Sequence, residues 1–349
     1  MFIFIIYIFF KMVKNTTFFI IFVFNKMNVD KEDENLISNQ ITIPKGKKQV
    51  SVTKFEGSAY FNVIVMYFLS HKHDDCCVVL PHNYETDVEK KIHWFKDNDE
   101  HEHDESCVLL PKKISNIPSE QTDVSLRWIQ KKKKKSKKIL TSLDLNANDE
   151  NNNNGYISVP KNFFNTFSKC PSKRFIVFPF GYTCLDSGHA NYMLYDSKLK
   201  SLERFETFGK INSVCINPPN LDKQILELFV KKFGNDFIQN YYTPLSYLPN
   251  ENFQTIQEKE KEWINRDEDI EPVGYCSVWS AWYIDLRLSN PEIDREKLVK
   301  MALSKLKKLP ITFTSFIRNY SSMLVDVSNE IKKIYKKKGK RTNSIKKKN

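Results

Sequence analysis

Strand-like segments in the middle of the chain, followed by helical stripes, predict an α+β fold with strands and helices layered rather than alternating as βαβ units. The strand candidates are Arg174–Phe180, Ala190–Tyr195 and Ser201–Glu206. The helical stripes dominate after residue 276. A third observation is composition: 41% hydrophobic and 13% aromatic side chains over 349 residues are enough for a real core and exclude a chain disordered throughout.

Taken in order, the elements are these. Two apolar runs, Phe2–Phe10 and Phe18–Phe24, are separated by Lys11 and Lys14. Neither approaches the roughly 20 continuous apolar residues a membrane helix needs. The positive charge also sits inside the apolar stretch, where a signal peptide would carry it in front. The text turns polar after Met27, so two readings follow: translation from Met12 or Met27, or a membrane anchor formed by 2–24.

Residues 71–111 hold an internal repeat. His71-Lys-His73-Asp-Asp-Cys-Cys77-Val-Val-Leu-Pro81 recurs as His101-Glu-His103-Asp-Glu-Ser-Cys107-Val-Leu-Leu-Pro111. Imidazole and thiolate are zinc ligands, and four of these six side chains could close a tetrahedral site. The spacing fits no zinc motif, and the simpler reading is two similar strands entered from charged loops. From 130 to 155 a lysine tract and an asparagine run mark an exposed linker or insertion.

After the three strand candidates, Leu221–Phe233 closes at Gly234 with Leu221, Ile225, Leu228 and Phe229 on one side. Trp279, Trp282, Tyr283 and Leu286 recur at helical spacing before Asn290-Pro291 stops the helix. Leu298, Met301, Ala302 and Leu306 form a second stripe, and Phe313 to Ile334 a third. The expected organisation is an N-terminal extension at 1–40, an accessory or early core region at 41–129, the linker at 130–155, a main domain at 156–335 and a basic tail at 336–349.

The formal charge of +12 is localised. Seven lysines lie in Lys131–Lys138 and ten Lys or Arg in Lys332–Lys348; without them, 37 basic residues face 42 acidic ones. The body is mildly acidic and carries two cationic tracts. These are solvated tails, nuclear-localisation signals or contacts for nucleic-acid phosphates. Seven cysteines over this length argue against a small disulfide scaffold and fit a reducing compartment.

Six of the seven histidines lie between His71 and His103; the seventh, His189, begins a strand after a glycine-containing turn. Glu206 follows 17 residues later. A hairpin between Asp196 and Ser201 would bring the two far ends together and place a carboxylate beside the imidazole. Cys276 stands at the start of the tryptophan-rich helix, just after Gly274. A thiol there feels the positive end of the helix dipole and ionises more readily. The amides of that first turn are natural oxyanion donors. Taken singly, such a cysteine more often packs in a core and such a histidine is more often structural; the pattern of all three carries the functional reading.

The order histidine, strand, acid, then cysteine at a helix start resembles the adenain and SUMO-protease superfamily of cysteine proteases. The phrases Gly-His-Ala-Asn, Glu-Arg-Phe-Glu and Gly-Tyr-Cys-x-x-Trp-Ser-x-Trp-Tyr are similar to thiol proteases of large DNA viruses and, more distantly, to the asfarvirus polyprotein-processing protease. The resemblance covers about residues 174–290. It implies a papain-like core with a central mixed sheet flanked by helices, and a Cys276–His189–Glu206 endopeptidase needing no cofactor or metal. It further implies cleavage after small residues of viral precursors or ubiquitin-like proteins, in the virion or host cytoplasm.

There are two departures. Ala190 follows the histidine where SUMO proteases carry Trp, and the nearest upstream glutamine, Gln257, is separated from Cys276 by the charged stretch Glu258–Glu271. If that stretch loops out, Gln257 returns to complete the oxyanion hole. Asn191 and Asp196 are the alternatives to Glu206 for orienting His189. Two other functions are compatible with the sequence: an acetyltransferase using the same triad, and a non-enzymatic basic virion or nucleic-acid-associated protein.

Overall fold

The computed structural model describes residues 37, 40–45, 59–79, 125–130, 155–160, 162–170, 172–183, 188–210, 218–264 and 275–346. The apolar segment 2–24, the second His/Cys copy at 101–111, the tract 131–154 and Gly274 lie outside the described residues.

The strands are β1 (Cys76–Val78), β2 (Leu126–Gln130), β3 (Gly155–Ser158), β4 (Phe175–Thr183), β5 (Gly188–Asp196), β6 (Ser201–Arg204) and β7 (Asn240–Tyr242). They form one mixed sheet in the order β3-β2-β4-β5-β6-β7, with β1 added along the first half of β4. β4, β5 and β6 run antiparallel to their neighbours within this group, whereas β1 and β2 lie parallel to β4 and β7 parallel to β6. Segments 76–78 and 126–130 thus belong to the sheet that carries the site. The helices are α1 (Ala59–Lys72), α2 (Phe163–Phe167), α3 (Pro218–Phe233), α4 (Pro244–Tyr247), α5 (Phe253–Glu258), α6 (Lys261–Ile264), α7 (Cys276–Ser289), α8 (Arg295–Lys308) and α9 (Phe313–Lys346).

Strands and helices are not separate throughout: the parallel β2–β4 pair is joined through β3 and α2, and a second crossover follows. β6, α3 and β7 make a βαβ unit, because the parallel β6–β7 pair needs a crossover and α3 supplies it. The expected strand Ser201–Glu206 also stops at Arg204, leaving Glu206 just past the ladder.

β4 reads as a continuous apolar run because it is central and buried on both faces; only its last residue, Thr183, is partly exposed. One face packs an aromatic cluster: Phe178 of β4 meets Phe163 and Phe167 of α2 and Phe229 of α3 at centroid distances of 5.3–5.9 Å. The opposite face carries α7. There Phe205 stacks on Tyr283 at 3.8 Å, and the β5 amide of Tyr192 donates to Ser280 Oγ at 2.8 Å. Beyond α7, Trp279 and Trp282 pack against Phe253 of α5 and Phe316 of α9, as their helical spacing predicts.

Helix α8, with residues 37 and 40–43, belongs to a compact unit of its own. Asp294 caps α8 by accepting the Lys297 amide at 3.0 Å, and the stripe Leu298, Ala302 and Leu306 is buried. Among the described residues no helix is long and apolar enough to cross a membrane.

Two readings of the cysteines and the first His/Cys copy are corrected. Cys77 is disulfide-bonded to Cys170, 93 residues away and inside the aromatic cluster, so it is no thiolate for zinc and the chain is not wholly reduced. His71 and Lys72 end α1 instead of lying in a loop.

Candidate active site

Antiparallel register sets the first half of the site. His189 pairs with Tyr182 on β4, and Met193 with Arg204 on β6. Side chains alternate along a strand, so Tyr182, His189, Asn191, Arg204 and Glu206 share one face. The four-residue turn after Asp196 returns the chain so that Glu206 comes level with Asn191. His189 Nε2 then lies 2.8 Å from Glu206 Oε1.

Glu206 is almost wholly buried and saturated with donors. Its Oε1 also accepts the Phe208 amide at 3.2 Å; its Oε2 accepts the Tyr182 hydroxyl at 3.1 Å and Asn191 Nδ2 at 3.2 Å. Burial by itself would raise this carboxyl, but the His189 charge and hydrogen bond, the Phe208 amide and the Arg204 charge together hold it below the usual range. An ionised carboxylate only accepts, so His189 Nε2 carries the proton in this bond. That leaves the other ring nitrogen for the sulfur.

Cys276 supplies the second half as the first residue of α7. The preceding residue, Tyr275, makes no side-chain cap, so the first-turn amides are not taken up by a capping group. The helix runs on the opposite face of the sheet from Glu206, and its N-terminus reaches the sheet end where β5 begins. There the sulfur is hydrogen-bonded by His189 and by the backbone at Ala190 and Ser277. Burial would raise the thiol; His189 and the two backbone bonds outweigh it and lower it. In turn, burial opposes the imidazolium, yet Glu206 and Cys276 lift His189 to about 10. Both shifts favour the thiolate and imidazolium forms of the pair, with the carboxylate behind it.

Two aromatic rings confine the imidazole: Tyr182 lies parallel at 5.4 Å and Phe208 tilted at 5.2 Å. The His189 side chain is still 13% exposed, which leaves an approach for a substrate.

The expected residues therefore separate. His189, Glu206 and Cys276 come together. Asn191 contacts the acid rather than the histidine, so it braces Glu206. Asp196 does not reach the site. It sits at the other end of β5, where it binds Arg174 at 3.0 Å and accepts the turn amides of Lys198 and Leu199. An orienting role for Asp196 is corrected, because a seven-residue strand separation puts it far from His189.

Gln257 does fold back. It is fully buried on α5, and its Oε1 accepts the indole N–H of Trp279, one turn beyond Cys276, at 2.6 Å. Its amide Nε2 is buried with no partner among the described residues. The charged stretch does not simply loop out: Glu260 accepts the amides of Phe313 and Thr314 at 2.7 and 2.8 Å, capping the start of α9, and Glu262 binds Arg318.

The sequence reading missed Tyr182, Arg204 and Asp222. Arg204 Nε and Nη2 clamp Asp222 of α3 at 2.6 and 2.8 Å, while its Nη1 donates to the Tyr182 hydroxyl at 2.8 Å. Alternation in Leu202-Glu-Arg-Phe-Glu206 was the available signal, since it places Arg204 on the face of Glu206 and Glu203 on the other.

No protein-family profile matches the chain. A protein of Acanthamoeba polyphaga mimivirus, named as an ankyrin repeat protein, is 32% identical over 181 residues, which is 49% of this chain and 23% of that protein. The chain thus matches less than a quarter of that relative's length. Among solved structures, the Chlamydia trachomatis effector ChlaDUB1 is similar with a TM-score of 0.30 and 10% identity, covering 48% of this chain and 61% of that one. The Chlamydia trachomatis effector Cdu1 bound to ubiquitin gives 0.27 and 11%, covering 48% and 67%. The Chlamydia abortus effector ChlaDUB gives 0.29 and 11%, covering 73% and 93%.

Proposed function

We propose that this chain is a cysteine endopeptidase. The observation that carries the reading is one continuous array: His189 hydrogen-bonded to the Cys276 sulfur on one side and 2.8 Å from the buried Glu206 on the other. Cys276 thiolate attacks the scissile carbonyl carbon, and the carbonyl oxygen takes up the negative charge. The first-turn amides of α7 and the unpartnered Gln257 Nε2 are the donors for that oxygen. His189 gives its proton to the leaving amine as the C–N bond breaks, which leaves a thioester on Cys276 and a neutral imidazole. Neutral His189 then takes a proton from water, whose oxygen attacks the thioester and releases the carboxylate product and Cys276. No step calls for a metal or cofactor.

The substrate class follows the sequence resemblance: viral precursor proteins or ubiquitin-like proteins, cleaved after small residues. Phe208 beside His189 supports a narrow approach of this kind. The test is active-site titration of the full chain with two electrophiles, a peptide ending in glycine and a ubiquitin-derived C-terminal probe. Stoichiometric labelling of Cys276, lost in C276A and kept when Cys76, Cys107, Cys184 or Cys215 is replaced, is expected. Labelling that persists in C276A overturns the assignment.

A further inference from the structure

Behind Glu206 the structure continues a line of charges that the proposed chemistry does not use. Reading from the sulfur, the groups are Cys276 of α7, His189 of β5, Glu206 after β6, Tyr182 of β4, Arg204 of β6, Asp222 of α3 and Tyr241 of β7. The signs alternate: thiolate, imidazolium, carboxylate, guanidinium, carboxylate. Arg204 is 0% exposed and Tyr241 donates its hydroxyl to Asp222 at 2.7 Å, so both partners of the buried pair are held.

We propose that Tyr182, oriented by the Arg204–Asp222 pair, is a positioning residue that fixes the Glu206 carboxylate and backs the His189 ring. The inference rests on the cysteine-peptidase reading of the same site. A guanidinium only donates, so the Arg204 N–H pointing at the Tyr182 oxygen occupies one of its lone pairs. The tyrosine proton is then directed to Glu206 Oε2 at 3.1 Å. Together with Asn191 this occupies one carboxylate oxygen, while His189 and the Phe208 amide occupy the other. The carboxylate is pinned at both oxygens and cannot rotate away from the imidazole. Parallel stacking of the Tyr182 ring on His189, with an interplanar angle of 8°, fixes the ring from its side as well. Donors on the ionised form favour that form, so losing the hydroxyl makes Glu206 easier to protonate. Once Glu206 is protonated, the imidazolium loses its countercharge and the thiolate goes with it.

Y182F keeps the stacked ring and removes only the hydroxyl. The measurement is the rate of Cys276 alkylation by iodoacetamide from about pH 4 to pH 10, corrected with C276A, alongside kcat and KM on a peptide substrate. In Y182F the low-pH limb is expected to move to higher pH, slowing alkylation near pH 5 by about threefold to tenfold, with kcat about tenfold lower and KM unchanged. R204Q should move the limb in the same direction, and R204K, which retains the charge, should restore part of it. A folded Y182F whose alkylation profile superimposes on that of the parent overturns the proposal, as does a loss of kcat that only tracks the folded fraction by circular dichroism. If the parent's own Cys276 alkylates like an ordinary thiol, the peptidase reading fails first and this inference with it, which separates the two failures.

Discussion

Helix α7 takes part in two histidine–carboxylate pairs that look alike. At its start, Cys276 meets His189, whose Nε2 is 2.8 Å from Glu206; nine residues on, Asp285 lies 2.7 Å from His73 Nε2. Both imidazoles are 13% exposed and both carboxylates nearly buried. What surrounds the pairs differs. Glu206 takes only neutral donors besides His189, whereas Asp285 also binds the Lys72 ammonium at 2.8 Å. His189 is hydrogen-bonded to a sulfur, whereas the thiol of Cys76, three residues after His73, turns to the Cys77 carbonyl at 3.7 Å. A histidine–carboxylate pair is thus a common way to fasten a helix to its neighbour. It becomes a proton-transfer device only with a nucleophile on the second nitrogen and a carboxylate whose charge no other cation directly neutralises.

The sharpest way to break this contrast is at the sulfur. C276A should lower kcat/KM on a cleavable peptide by about 10⁴-fold or more, with H189A comparable, while H73A leaves it within about twofold. An H73A loss as large as that of H189A would erase the distinction.

Next comes the acid. E206Q keeps the shape and removes the charge, and kcat should fall about 10³-fold, within the range of proton-transfer contributions. The pH dependence is also fixed in sign. His189 is raised to about 10, so the imidazolium persists through neutrality and is lost as pH rises through that value; the lowered thiol and carboxyl set the acid limb. The parent should therefore show a broad plateau in Cys276 alkylation, with its alkaline change near 10, and E206Q should bring that change downward. An unmoved alkaline limb in E206Q would mean that the carboxylate does not support the imidazolium.

Gln257 sharpens the contrast from the oxyanion side. Q257A should reduce kcat by about 10²-fold with KM little changed, since a donor aimed at developing charge acts in the transition state. It also removes the acceptor of the Trp279 indole, so Q257E, which keeps an acceptor but loses the amide donor, separates packing from catalysis: it should be folded and slow.

How much of this could be read in advance depends on how local each contact is. His189 and Glu206 were legible because one hairpin with a short turn fixes their meeting, and Cys276 because helix periodicity marks where α7 begins. Gln257 was legible as a candidate only; its return depends on Glu260 capping α9 more than 50 residues away. Asp196 fails as an orienting residue because β5 is extended and carries it to the hairpin end, seven residues from His189. Arg204–Asp222 and Cys77–Cys170 were invisible, the first depending on how α3 packs across β6 and the second on a span of 93 residues.

The smallest expected effect tests the other pair. D285N keeps the volume of the carboxylate and a hydrogen-bonding oxygen but removes the charge shared by His73 and Lys72. Lys72 is 47% exposed and its share is screened, so most of the effect lies in the more enclosed His73 bond. The cost should be about 1–3 kcal/mol of stability, read as a lower denaturant midpoint at unchanged m-value. Asp285 is two and a half turns from Cys276 along α7, and the helix between them is fastened independently by Ser280 to the Tyr192 amide and by Tyr283 to Glu203. Those attachments should hold the N-terminal turn in place, so Cys276 alkylation and kcat/KM in D285N stay within about twofold of the parent. A D285N that is as stable as the parent yet loses activity would show instead that the two pairs communicate along α7, and that His73 and Asp285 belong to the chemistry rather than to the scaffold.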